Sequence, residues 1–250
     1  MGEHSAEFDG PGMMRGRQEA KAAEAVALRE LVVRAGAETP LAITLAEVRE
    51  VTGIGHVGPA DAIHHLARAA DQSGALSRAA FVHALGRAAK EAGADLGTPL
   101  QAKRFGILAS RIFDAFAGGS AGPGLASFDD AAVGISFLSR GDAEERASCA
   151  FQVIDADGNG ELDLGELTSM FEAVLRLAYQ LEPSVRDVAK GLSPQRLAQA
   201  SALAALRDAG GPNARAMSYE QFRDFWSAGT DGGLGAASPP LTVASGMPPG

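Results

Sequence analysis

Residues 155–166 read Asp155-Ala-Asp157-Gly-Asn159-Gly160-Glu161-Leu162-Asp163-Leu164-Gly165-Glu166, which puts five carboxylates and one side-chain amide into twelve positions. A hard divalent cation such as Ca²⁺ takes six to eight oxygens at about 2.3–2.6 Å, and a twelve-residue loop wraps it with ligands from positions 1, 3, 5, 7, 9 and 12. The spacing meets D-x-[DN]-x-[DN]-G-x₅-E without a mismatch. Asp155, Asp157 and Asn159 supply side-chain oxygens, and Glu161 supplies its backbone carbonyl. Asp163 acts through water, and Glu166 closes the site with both carboxylate oxygens. Gly160 gives the positive φ of the sharp bend. The expected metal is one Ca²⁺, with Mg²⁺ as a second candidate. Without a cation the five acids repel one another, so binding is expected to order and stabilise this region.

Such a loop needs a helix on each side. The periodicity predicts an incoming helix from about Asp142 to Ile154 with Ala147, Phe151 and Ile154 inward. An outgoing helix runs from Gly165 to about Tyr179 with Leu167, Phe171 and Val174 inward. Leu162 should point into the core, where its backbone can pair with a matching loop. Helical spacing recurs along the chain, for example at Ile63-Leu66-Ala67-Ala70, and strand-like alternation is nearly absent. Gly-bearing segments at 69–81, 117–130, 155–166 and 208–221 lie about 40–50 residues apart, as helix-loop-helix units with connectors would.

On these residues the chain resembles the EF-hand superfamily, and within it the four-hand sensors of the calcineurin B and neuronal calcium sensor type. Phe137-Leu138-Ser139-Arg140-Gly141-Asp142, followed by Ala150-Phe151-Gln152-Val153-Ile154-Asp155, is similar to the junction between second and third hands there. The likeness covers residues 56–227 loosely. It implies an all-α fold in which hands pair into two lobes. An N-terminal lobe with degenerate hands would span 56–140, and a C-terminal lobe with the Ca²⁺ loop 141–227. A helical extension at 16–55 and disordered tails at 1–15 and 228–250 complete the organisation.

The other three loops depart from the pattern. Counting from Gly74 as position six, the first has Ala69 and Ala80 at its ends and Asp71 as its sole carboxylate. The second is about two residues long for the pattern and has no acid before Asp129. The fourth carries Gln221 at the closing position, with Gly, Pro and Ala where carboxylates belong. One occupied site of four is the expectation.

Composition narrows the function. Acids outnumber bases 31 to 22, for a net charge of -9, the wrong sign for tracking phosphates, so no nucleic-acid partner is expected. No uncharged apolar run approaches the roughly 18–20 residues that cross a bilayer. Membrane contact would require acylation of Gly2, whose motif is imperfect because Ala6 stands where Ser or Thr is wanted. The single Cys149 leaves no intramolecular disulfide, which suits a reducing cytoplasmic setting.

Several other signals are discounted. Gly53-Ile-Gly55-His-Val-Gly58 mimics a dinucleotide fingerprint, but Thr44–Val51 reads as a helix capped by Thr44 and Glu47, so these glycines mark a helix stop and turn. His56, His64, His65 and His83 form no ligand set. Cys149 reads as a small buried hydrophobe, and Phe225 and Trp226 as core or groove aromatics. No nucleophile, base or phosphate loop stands out, so an enzyme is not expected.

The reading is a calcium sensor or regulatory subunit whose apolar groove receives an amphipathic target helix. Met170 and Met217 are the methionines available to line that groove. The basic stretch near 15–35 (Arg15, Arg17, Lys21, Arg29, Arg34) would cap a lobe, fill its groove or meet a partner. The alternative is a constitutive structural or adaptor subunit of a larger assembly with one structural metal.

Overall fold

The computed structural model describes residues 45–119, 121–181, 185, 189 and 192–230. The predicted helix near 15–35, the tail at 1–15 and Thr44 of the capping pair lie outside them. The described chain is mostly helical. It opens with α1 (Leu45–Thr52) and a 3-10 turn (Ile54–His56), and continues as four helix-strand-helix units. These are α2 (Pro59–Ala69), β1 (Ala75–Ser77) and α3 (Arg78–Glu91); then α4 (Pro99–Phe116), β2 (Leu125–Ser127) and α5 (Phe128–Leu138). The third is α6 (Ala143–Ile154), β3 (Glu161–Asp163) and α7 (Leu164–Leu181), and the fourth α8 (Pro194–Gly210), β4 (Ala216–Ser218) and α9 (Tyr219–Thr230). Among the described residues, no helix is long and apolar enough to cross a membrane.

Local chemistry sets the helix starts. Thr98 and Gln101 form a reciprocal capping box at α4, where Pro99 presets the first turn. Asp142 accepts the Glu145 N–H at 2.8 Å, and Ser193 accepts that of Arg196 ahead of Pro194. Between α1 and the 3-10 turn, Gly53 takes φ 69°, the left-handed conformation that ends the helix.

The strands are short and pair the units two by two. β1 runs antiparallel to β2 with Leu76 opposite Ala126, and β3 to β4 with Leu162 opposite Met217. Each central residue is fully buried while its neighbours are more exposed, so each bridge joins two loops and drives one side chain into the core beneath.

Two apolar clusters result. The first gathers Phe81, Phe113 and Phe116 with Leu66, Leu108 and Ile112, and α1 belongs to it through Val48. The described end of the predicted extension, 45–55, thus packs into the core of the first pair. The second gathers Phe151, Phe171 and Phe222 with Leu167, Leu206 and Trp226. The clusters exchange residues across the boundary expected at 140/141. Leu177 and Leu181 at the end of α7 sit in the first cluster, and Val133 and Phe137 of α5 in the second. Arg140 N–H donating to the Val57 carbonyl at 2.8 Å ties the connector to the same junction.

Some expected details change. In α2 the inward residues are Ala62 and Leu66, with Ile63 partly buried and Ala67 exposed. Alanine occurs on both faces of this helix, so its spacing does not fix which face turns inward. At the far end, α9 continues through Thr230, past the expected start of the tail at 228. Cys149 is half-buried; burial, then the neighbouring Glu145 charge, push its thiol pKa up.

Candidate metal centre

The third loop leaves α6 at Asp155, whose N–H still donates to the Phe151 carbonyl at 2.9 Å and so belongs to the last helical turn. The chain then folds around its own carboxylates. Asp155 Oδ1 accepts from Asn159 N–H at 3.1 Å and Oδ2 from Gly160 N–H at 3.0 Å. Asp157 accepts from the Asn159 N–H at 3.1 Å and from its amide Nδ2 at 2.8 Å. Asn159 Oδ1 accepts from Glu161 N–H at 2.7 Å. Gly160 bends the chain at φ 81°, and no heavy atom lies within 4 Å of where its Cβ would be. Its need for glycine is therefore one of backbone conformation rather than space.

At the closing end Asp163 and Glu166 cap α7 reciprocally. Glu166 N–H donates to Asp163 Oδ1 at 2.9 Å, and Asp163 N–H to Glu166 Oε2 at 3.0 Å. Glu166 Oε1 accepts from Ala156 N–H at 2.9 Å and so reaches back across the loop to its start.

The outcome is a carboxylate cluster. Oxygens of Asp155, Asp157 and Glu166 all lie within 4.8 Å of one another, the sole such convergence of three or more His, Cys, Asp or Glu among the described residues. Three of the six expected ligand residues are thereby brought together. Asn159 is turned onto its neighbours Asp157 and Glu161, Asp163 is engaged at the helix cap, and Glu161 lies in β3 opposite Ser218. The oxygen-only donor set suits a hard cation, and such a cation would reverse the like-charge repulsion within the cluster.

A cleft of about 380 Å³ opens beside this loop, floored by Val133, Ile154, Met170 and Ala173 and rimmed by Asp130 and Glu166. Met170 lines this cleft. Met217 does not, because strand pairing carries it into the core opposite Leu162. Trp226 is buried against Phe137 and Phe222, with ring centroids 5.7 and 5.3 Å away.

The remaining loops are closed by groups of the chain itself. In the first, Asp71 Oδ1 accepts from the Ser73 hydroxyl, Ser73 N–H and Ala75 N–H at 2.7, 2.8 and 3.0 Å. These bonds, the hydroxyl foremost, hold its pKa below the ordinary carboxylate value. A depressed folded pKa gives stability that is present above the unfolded value and lost as pH falls through the folded one. Acidification below the usual carboxylate range should therefore loosen this loop. Amide exchange at Ser73 and Ala75 should accelerate there, and Asp71→Ala should remove that pH dependence.

In the second loop the strand register puts Asp130 at the closing position, four residues beyond Ala126 as Ala80 is beyond Leu76. Burial raises the Asp130 pKa, while the Arg176 guanidinium of α7, 4.0 Å away, opposes that rise. A Cβ on Gly119 would lie 2.8 Å from Arg176 Nη1, so this loop holds a tethered cation against it.

His56, His64 and His83 are exposed, whereas His65 is half-buried, lies 3.0 Å from Glu91 and sets its ring edge-on to His64. Sequence reasoning missed the Arg176–Asp130 contact, which joins residues 46 positions apart, and the triple acceptance by Asp71. The Asp-x-Ser-Gly order of residues 71–74 signals the latter, since Asp side chains commonly accept from backbone N–H groups two residues on.

No known protein-family model matches this chain, and no curated protein matches it.

Proposed function

We propose that this chain is a calcium-binding protein of the EF-hand type, with one Ca²⁺ site at residues 155–166, acting as a sensor that regulates a target rather than as an enzyme. The observation that carries the reading is the convergence of Asp155, Asp157 and Glu166 oxygens within 4.8 Å on a twelve-residue loop between two helices. The pairing of four helix-strand-helix units through Leu76–Ala126 and Leu162–Met217 supports it, because such units bury their apolar faces in pairs. Asp155, Asp157, Asn159, the Glu161 carbonyl, Asp163 through water, and Glu166 are the ligands. Mg²⁺ competes for the same oxygens but tolerates the wide, flexible coordination less well.

The cleft beside the loop supplies the groove. Its size fits one or two anchoring side chains of an amphipathic target helix, and movement of α7 on binding would enlarge it. The working environment is the cytoplasm.

A second reading, a constitutive structural subunit, draws support from the closure of the first loop by Asp71 and from the helices shared between the two cores. An apolar fluorescent probe separates the two. A sensor binds the probe on addition of Ca²⁺ in the presence of millimolar Mg²⁺, whereas a structural subunit shows no change although Ca²⁺ is bound.

A further inference from the structure

The fourth loop is one residue shorter than the third, with 211–218 between its helices against 155–163, and has none of its ligands. With Met217 opposite Leu162, Gln221 stands where the metal loop has Glu166, and Gly210 where it has Asp155. A Cβ on Gly210 would lie 2.8 Å from the Ala214 Cβ, so the space for a first ligand is already filled. α8 extends through Gly210, and the Gly211 N–H still donates to the Arg207 carbonyl at 2.8 Å.

A side-chain amide spans this loop, beside the turn in which the Ala214 N–H donates to the Gly211 carbonyl at 3.1 Å. Gln221 Oε1 accepts from Ser218 N–H at 2.9 Å, the counterpart of the Glu166–Asp163 contact. Gln221 Nε2 donates to the Ala209 carbonyl at 3.0 Å, on the far side of the loop. A carboxylate could make the first bond but not the second, because it has no hydrogen to give. The Glu-to-Gln difference that disqualifies the loop as a cation site therefore supplies the donor that spans it.

β4, held by Ser218, is also the partner of the metal loop. Glu161, Leu162 and Asp163 pair with Ser218, Met217 and Ala216. Beyond β4, Tyr219 and Phe222 pack against Phe151 at 5.3 and 5.7 Å, one turn before Asp155. Both ends of the metal loop therefore rest on the element that Gln221 fixes.

We propose that Gln221 is a positioning residue for the cation: its amide replaces a metal in the fourth loop and presets β3, and with it Asp163 and Glu166, for binding in the third. The inference rests on the calcium reading above. Physically, a loop already held in its bound geometry loses less conformational freedom when the ion arrives, and that difference appears as affinity.

The test is Ca²⁺ titration of the full chain by calorimetry for the wild type, Gln221→Ala and Gln221→Glu, with melting in chelator followed by Trp226 fluorescence. Gln221→Glu keeps the shape and the acceptor, removes the donor and adds a negative charge. Both variants should still bind one Ca²⁺, with affinity weakened about tenfold, a typical size for coupling between sites. Both should melt lower in chelator. Unchanged affinity in both variants, even with lowered melting, would reduce Gln221 to a structural role and overturn the proposal. A second Ca²⁺ bound by Gln221→Glu would also overturn it, by showing a latent cation loop. Absence of binding by the wild type would instead overturn the calcium reading, and the positioning role with it.

Discussion

Glu166→Gln should weaken Ca²⁺ binding by at least about 100-fold, since loss of an outer-shell partner alone typically costs about 10–100-fold in metal affinity and Glu166 is a direct ligand on this account. The substitution halves the oxygen donors of the closing residue and removes its charge. It retains one acceptor oxygen, which can keep the Asp163 N–H bond that Oε2 makes while giving up the Ala156 N–H bond of Oε1, so α7 can still begin at Leu164. Stability in chelator should consequently change little, or rise as one member of the repelling cluster is neutralised. Calorimetry and melting with and without Ca²⁺ separate these effects. The wild type should gain about 2.7 kcal/mol when free Ca²⁺ is 100 times its Kd, and the variant no more than about 0.4 kcal/mol at the same concentration.

Leu177→Ala should destabilise the protein by about 2–5 kcal/mol, the usual range for emptying a buried leucine site. Its distinctive consequence is where the loss appears. Leu177 lies on the outgoing helix of the third loop, yet it is buried in the cluster of the first two units, with Phe113 and Ile112 among its members. Amide exchange should therefore accelerate in α3 and α4 as well as in α7. A loss confined to the third and fourth units would mean that the shared helix does not couple the clusters. If it does, a cation bound as proposed at the start of α7 would be felt at its end, where Arg176 faces Asp130 and Leu181 enters the first core.

Much of this arrangement is written in short-range signals. Asp and Asn at alternate positions, Gly160 at the bend and Glu166 three residues beyond Asp163 specify the loop and the start of α7, because each acts through neighbours within a few residues. The inward faces of α6 and α7 follow from well-spaced Ala147, Phe151, Ile154, Leu167 and Phe171, and all five are buried. The two-residue excess of the second loop is likewise visible by counting.

Other features depend on which distant surfaces meet. Ala67 shares the spacing of a core stripe but faces outward, since alanine gains little from burial and so constrains the face weakly. Met217 looks like a groove residue until its strand is paired with β3. Gln221 looks like a defect in a metal loop until the Ala209 carbonyl is seen within reach of its amide. In each case the deciding partner lies on another element, and nothing in the local pattern announces it.

The central claim, that residues 155–166 bind one calcium ion, is tested most directly by calorimetric Ca²⁺ titration of the intact wild-type chain in millimolar Mg²⁺. The account predicts a single site with Kd of about 10⁻⁷–10⁻⁵ M, the range of sensor loops. Absence of binding, or a stoichiometry of two or more, would contradict it.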